Sequence, residues 1–250
     1  MSVSRLADQA EQLRALHVPG LPLLLVNAWD PPSARRLAHD GYPAIATTSA
    51  GVAEALGYED GNVTPPDEML AAVARIAAAV AVPVTADLEA GYGLEPAELV
   101  GGLLRAGAVG LNFEDSDHEA GGLTDAERQA ERLAALKQAG REAGVDVVLN
   151  ARVDVFLRGG EIDEAVRRGR LYAQAGADCV YPIGVRGRDA IGRLVEEVGA
   201  PLNVLVMPSG LTLVQLAELG VARASFGSGL MHTAMEAAAQ QAADYAAGSS

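Results

Sequence analysis

One cysteine, one lysine and one tryptophan are all that this 250-residue chain holds of those types. The single cysteine, Cys179, excludes a disulfide framework and a cysteine-rich zinc site. The single lysine, Lys137, lies mid-helix in Arg132-Leu133-Ala134-Ala135-Leu136-Lys137-Gln138 and not at a strand end. Schiff-base chemistry needs a buried amine beside the substrate, so that mechanism is set aside. Aromatic residues make up only 4% of a chain that is half hydrophobic, and the core must therefore be aliphatic. Nineteen basic residues face 33 acidic ones, for a net charge of −14. Such a chain offers no basic face to nucleic acid or to an anionic membrane. It has no apolar run long enough to span a bilayer, and the segment from Met1 to Gly20 reads as a charged amphipathic helix without a signal peptide's apolar stretch. A soluble cytoplasmic protein is expected.

What is present is an alternation. Short runs rich in Val, Ile and Leu are read as strands at Leu23–Asn27, Ala44–Thr48, Val82–Leu88, Val109–Glu114, Asp146–Arg152, Asp178–Ile183, Leu202–Met207 and Arg223–Gly227. Alanine-rich helical patterns follow near 32–40, 66–80, 95–106, 124–143, 161–175, 187–198 and 211–219, with a last one from 229 to about 246. This is the βαβ signature of a parallel sheet. Phrases such as Arg105-Ala-Gly-Ala, Gln174-Ala-Gly-Ala and Glu218-Leu-Gly-Val end a helix with a left-handed glycine and enter a strand. Eight such units predict a (β/α)8 TIM-type barrel forming one domain over residues 1–250, with an N-terminal helix in 1–20 and a terminal helix and tail in 229–250. A doubly wound open sheet is the alternative, but the chain lacks the dinucleotide-binding glycine fingerprint.

Barrel chemistry sits at the C-terminal strand ends, and the polar residues there are unevenly distributed. The third strand ends in Asp87-Leu88-Glu89, followed by Ala90-Gly91-Tyr92-Gly93. In a strand, residues two apart face the same side, so Asp87 and Glu89 are expected to converge. Like charges held together need a cation or a shared proton, and hard carboxylate oxygens suit a partly hydrated Mg²⁺. The bland alternative is a helix N-terminus whose acids face solvent. The fourth strand adds Glu114-Asp115, the fifth adds Asn150 and Arg152, and the last three are poor in charge.

The set Thr48-Ser49-Ala50-Gly51, Asp87-Leu88-Glu89-Ala90-Gly91-Tyr92-Gly93, Gly110-Leu111-Asn112-Phe113-Glu114-Asp115 and Asn150-Ala151-Arg152, in that order, resembles the isocitrate lyase/phosphoenolpyruvate mutase superfamily from about Leu25 to Gly229. The resemblance implies a barrel assembled as a homo-oligomer, dimer or tetramer, whose last helix swaps between neighbours. It implies a lyase-type enzyme that breaks a C–C bond, or decarboxylates, next to a 2-oxo or 2-hydroxy carboxylate through an enolate. Mg²⁺ (or Mn²⁺) is the implied cofactor, with Asp87 nearest the metal and Glu89, Glu114 and Asp60 around it. Thr47, Ser49, Ala50, Gly51, Asn150 and Arg152 are the implied substrate-binding residues. Arg152, Tyr92 and Glu114 are the implied catalytic ones.

Departures from the family pattern are as informative. Where its lyases carry a Lys-x-Cys-Gly loop, this chain has Ser116-Asp117-His118-Glu119-Ala120-Gly121-Gly122-Leu123. Where its mutases place a histidine after the sixth strand, this chain has Pro182. His118 could move protons near neutral pH, but beside Asp117 and Glu119 it reads as a solvated loop residue. Cys179 reads as a small buried hydrophobe. A P–C bond mutase or hydrolase of the same superfamily is one alternative. Phe226-Gly227-Ser228-Gly229 suggests a second, a phosphosugar isomerase or synthase with phosphate at a helix N-terminus. A catalytically silent ligand-binding barrel is the third.

Overall fold

The computed structural model describes residues 2–248, so positions 1, 249 and 250 of the expected terminal segments lie outside the described residues. In chain order the elements are α1 (Val3–Ala15), β1 (Leu23–Ala28), α2 (Pro31–His39), β2 (Ile45–Thr47), α3 (Ser49–Leu56) and α4 (Pro66–Ala78). Next come β3 (Val84–Asp87), α5 (Pro96–Ala106), β4 (Gly110–Glu114), a small hairpin of β5 (Ser116–Asp117) and β6 (Gly122–Leu123), and α6 (Ala126–Glu142). The last third holds β7 (Val148–Arg152), α7 (Ile162–Gln174), β8 (Cys179–Tyr181), α8 (Arg188–Val198), β9 (Asn203–Leu205), α9 (Leu213–Glu218), β10 (Arg223–Ser225) and α10 (Gly229–Ala246). The expected strands and helices are recovered, with strand ends trimmed by one or two residues except in β1, which runs one residue further to Ala28. Helix α3, the hairpin and a 3-10 turn at Val155–Arg158 were not foreseen.

Eight strands form one parallel sheet in the order β8-β7-β4-β3-β2-β1-β10-β9. Its two edges meet at a bridge between Val180 and Leu202, with the Val180 N–H donating to the Pro201 carbonyl at 2.9 Å. This is the (β/α)8 barrel. Helix starts follow local chemistry. Asp30 caps α2 in a reciprocal box with Ser33, and Pro31 and Pro32 occupy the first turn, where no N–H is missed. Gly107, Gly176 and Gly220 all take positive φ at the helix-to-strand corners, as expected of left-handed caps. The core is aliphatic, with Leu25, Ile45, Val73, Ile76, Leu103, Leu111, Leu133 and Leu149 fully buried.

Helix α1 plugs the floor of the barrel, the end away from the strand C-termini. Leu6, Ala10 and Leu13 are buried there, and Arg14 pairs with Asp178 at 2.7 Å and Asp146 at 3.0 Å. Lys137 joins the same two acids, each at 2.8 Å. The sole lysine is thus part of the floor, away from the strand C-termini.

The terminal helix α10 departs from the ordinary pattern. Met231 is buried, but from His232 onward the described residues are exposed apart from half-buried Asp244. It does not lie on its own barrel as an eighth helix. No described helix is long and apolar enough to cross a membrane.

At Gly110 an added Cβ would meet Leu13 Cδ2 and Thr85 Oγ1 at 2.9 Å and the Val148 carbonyl at 3.0 Å. Since the last of these is backbone, it cannot swing aside. Gly110→Ala is expected to lower stability by about 1–3 kcal/mol in urea unfolding; an unchanged midpoint would mean that α1 is not seated on the barrel floor.

Candidate active site

The site grows from the C-terminal ends of β2, β3, β4 and β7. Thr47, fully buried at the end of β2, accepts the Asp87 N–H on its hydroxyl at 2.9 Å. Its side chain therefore shapes the backbone under Asp87 and is not presented to a ligand. Thr48 caps α3, and Ser49 in its first turn donates to Asp87 Oδ2 from both N (3.3 Å) and Oγ (3.0 Å). Ala50 and Gly51 follow in that turn. A Cβ at Gly51 would come within 2.7 Å of Thr48 Cγ2 and 3.1 Å of Met231 Sδ, so the root of α10 rests against this loop. The other oxygen of Asp87, Oδ1, is buried without a hydrogen-bond partner.

Glu89 reaches the site by a route that strand alternation did not foresee. Strand β3 ends at Asp87, and Glu89 turns out of it at φ 47°. Its carboxylate accepts from the backbone N–H of Gly61 at 3.0 Å and of Asn62, and from the Tyr92 hydroxyl at 3.0 Å. Asn62 in turn accepts the Tyr92 N–H at 2.9 Å. Asn62 (φ 65°), Glu89 and Tyr92 (φ 54°) are the non-glycine residues with positive φ among those described. All three lie in this clamp, where neighbouring bonds hold a costly backbone in place. Asp60 lies beside Gly61 in the same loop, and partial desolvation against the mouth, then the charge of Asp87, raises its pKa. Glu89 is pushed up to about 7, first by burial and then by Asp60 and Asp87. Burial, then the charge of Glu89, keeps Tyr92 protonated.

Across the mouth, Glu114 is buried between a guanidinium and an imidazole: Arg152 Nη2 lies 2.6 Å from Oε2 and His118 Nε2 lies 2.6 Å from Oε1. Burial raises the Glu114 pKa against the pull of both, and the bond to Glu114 raises that of His118. His118 is therefore not the solvated loop residue expected from its acidic neighbours. The hairpin β5–β6 curls the loop back and brings the imidazole onto Glu114.

Arg152 also differs from expectation. Its fork is occupied by Asp154, with Nε and Nη2 each 2.6 Å from a carboxylate oxygen, leaving Nη1 for a ligand. Burial alone would lower its pKa, but the bonds to Asp154 and the charge of Glu114 hold it well above the ordinary value. Asp154 was missed, although its place two residues beyond Arg152 was a signal. Asp115, the second acid of the Glu-Asp motif, turns away from the mouth. Its carboxylate accepts the Asp154 N–H (2.8 Å), the Tyr172 hydroxyl (2.7 Å) and Arg168 Nη1 (3.0 Å). Asn150 is fully buried below the mouth, with its amide on Asn112 Oδ1 at 2.8 Å.

Among the described residues no three His, Cys, Asp or Glu side chains converge as a ready ligand cluster. What the mouth does offer is one unpartnered buried carboxylate oxygen on Asp87, ringed by Asp60, Glu89 and Glu114. That donor set fits a hard cation held by one direct carboxylate and several waters, the preference of Mg²⁺.

The raised Glu89 predicts a pH effect in metal-free protein. Between about pH 4.5 and 7 the folded chain keeps a proton that the unfolded chain has released. Its stabilising contribution is full below that window and is lost as pH rises through about 7. Glu89→Gln should flatten this fall by up to about 1.4 kcal/mol per pH unit. Urea unfolding at stepped pH checks it, and identical slopes in the two proteins would contradict it.

Comparison with known proteins places the chain in a family. A family model described as phosphoenolpyruvate phosphomutase matches residues 13–246. An uncharacterised protein of Mycobacterium tuberculosis is 36% identical over 229 residues, covering 91% of this chain and 86% of its own. The 2-methylisocitrate lyase of Escherichia coli is 26% identical over 219 residues, covering 79% and 73%. The crystal structure of a candidate phosphonomutase from Burkholderia cenocepacia superposes with a TM-score of 0.90 at 41% identity, over 94% of this chain and 99% of that one. With a family model matching residues 13–246 and a closed (β/α)8 barrel, the chain belongs to the phosphoenolpyruvate phosphomutase family, in the isocitrate lyase/phosphoenolpyruvate mutase superfamily of lyases and mutases.

Proposed function

We propose that this enzyme is a divalent-metal-dependent lyase that cleaves a C–C bond, or decarboxylates, next to a small 2-oxo or 2-hydroxy carboxylate. The observation that carries the reading is the buried, unpartnered oxygen of Asp87, facing an acidic ring whose fixed cation, Arg152, is held by Asp154 and Glu114. Asp87 would hold Mg²⁺ or Mn²⁺ directly, with Asp60, Glu89 and Glu114 around its waters. When bound, such an ion supplies Lewis-acid stabilisation of an oxygen that gains charge as the bond breaks.

The remaining roles fall to the chain itself. In the first turn of α3 the Ser49 N–H is on Asp87 and the Gly51 N–H on the Thr48 hydroxyl, which leaves the Ala50 N–H for an anionic oxygen at the helix N-terminus. Arg152 Nη1 suits the substrate carboxylate. Cleavage leaves a carbon that must regain a proton, and the hydrogen bond between His118 Nε2 and Glu114 Oε1 holds one that this pair could supply. Tyr92 closes the Glu89 side of the mouth and holds that carboxylate in place.

A P–C bond mutase is the second reading, favoured by the likeness to the candidate phosphonomutase. A migrating phosphoryl group carries its charge on three oxygens and calls for several cationic donors. The loop 116–123 contains no lysine or arginine, so C–C chemistry is the better match.

The chain is also proposed to form a homo-oligomer through exchange of α10. An 18-residue helix exposed along nearly all its length is marginal without packing, and its small alanine faces permit close approach to a neighbour.

Turnover of oxaloacetate, substituted malates, methylisocitrate and phosphonopyruvate, assayed with Mg²⁺ or Mn²⁺, tests the reaction. Activity on none of them would favour the silent barrel. Asp87→Ala should abolish metal-dependent oxalate binding in calorimetry, a larger loss than the roughly 10–100-fold typical of outer partners. Arg152→Lys should cost roughly 2–5 kcal/mol in oxalate affinity, since lysine cannot reproduce the fork on Asp154; unaltered binding in either variant would move the site elsewhere. For assembly, truncation after Gly227 should convert oligomers to monomers or aggregates in light scattering, and a monomeric full-length protein would rule exchange out.

A further inference from the structure

Barrel interiors are ordinarily filled by branched apolar side chains. This one is crossed by a guanidinium. Arg223, on β10, is 1% exposed, and its Nη2 donates to Asn112 Oδ1 on β4 at 3.1 Å. In the ring of eight strands, β10 and β4 stand opposite one another, four places apart. The side chain therefore spans the lumen from wall to wall. Asn112 Oδ1 accepts a second bond, from Asn150 Nδ2 on β7 at 2.8 Å, so three strands meet at one oxygen.

The register gives this junction its significance. Asn112 pairs with Asn150, and Glu114 pairs with Arg152, in the same β4–β7 ladder. Residues two apart on a strand share a face, so the asparagine pair lies one layer beneath the Glu114–Arg152 ion pair of the mouth. No carboxylate forms an ion pair with Arg223 among the described residues, and its Nε and Nη1 have no hydrogen-bond partner. A buried cation without a counter-charge is costly. An apolar residue would fill the lumen more cheaply, which argues that the charge and reach of this arginine serve the layer above.

We propose that Arg223 is a positioning residue: through Asn112 and Asn150 it locks the ends of β4 and β7 from the opposite wall and so fixes Glu114 against Arg152. Its positive charge also lies beneath the acidic mouth and eases the crowding of carboxylates there. This inference rests on the site assigned above, but its own test separates from it.

Three proteins are compared: wild type, Arg223→Met and Arg223→Lys. Hydrogen–deuterium exchange of the metal-free proteins reads the peptides covering 110–117 and 148–154, and calorimetry reads oxalate binding in Mn²⁺. Arg223→Met should stay folded, lose protection selectively in those two peptides and bind oxalate at least tenfold more weakly. Arg223→Lys, which restores a cationic donor to Asn112, should recover most of both. The variants Asn112→Leu and Asn112→Leu/Arg223→Met should match one another in oxalate affinity, because the arginine acts through that amide. A role limited to filling space would instead lower the unfolding midpoint with oxalate affinity intact and with equal effects of Met and Lys; that result overturns the proposal. If wild type binds no oxalate, the functional reading fails, and the exchange data alone decide the strut. Should Arg223→Met not fold, Arg223→Gln is judged by the same two readouts.

Discussion

Carboxylates crowded into a low-dielectric mouth repel one another, and much of this molecule is arranged around that repulsion. Asp60, Asp87, Glu89, Glu114 and Asp154 gather at the ends of neighbouring strands, with Arg152 as the central cation. Three of these acids are stabilised by different devices. Asp154 takes the arginine's fork, Glu114 is shared between Arg152 and His118, and Glu89 is clamped by backbone amides and a tyrosine. Burial still raises Glu89 to about 7, which leaves the mouth poised either to keep a proton or to accept a cation. The energetic preference for a bound positive charge follows from this placement, without any further specialised residue.

The scaffold meets this demand by fixing the backbone. Loops 60–62 and 89–92 are locked to each other through Asn62, with positive φ at three non-glycine residues. Asp115, which looks like a site residue in the motif, instead ties the turn after β7 to Arg168 and Tyr172 on α7. The two ends of the barrel divide the labour. Ion pairs of Arg14 and Lys137 with Asp146 and Asp178 close the floor, and the charge at the mouth is left incompletely neutralised.

The terminal helix touches the site at its root. Its first turn brings Met231 against Gly51, in the loop proposed to receive the substrate's oxygens, while the rest of the helix leaves the barrel. A neighbour that grips the helix would therefore also bear on that loop.

Much of this was legible in the residues alone. Alternating apolar runs and left-handed glycines determined eight strand–helix units, because backbone periodicity and helix capping are local. Motif order at the strand ends pointed to Asp87, Glu89, Glu114 and Arg152, since a parallel barrel sends every strand's C-terminal end to one face. Three things were decided only by the tertiary structure. His118 became a partner of Glu114 because an unforeseen hairpin folds its loop inward. Arg152 lost its free fork because Asp154 lies within reach once the strand has ended. Arg223 became a cross-lumen strut because barrel closure sets β10 opposite β4, a contact between residues 111 positions apart. Local pattern specifies which elements form and which way they point; what their side chains meet depends on closing the ring.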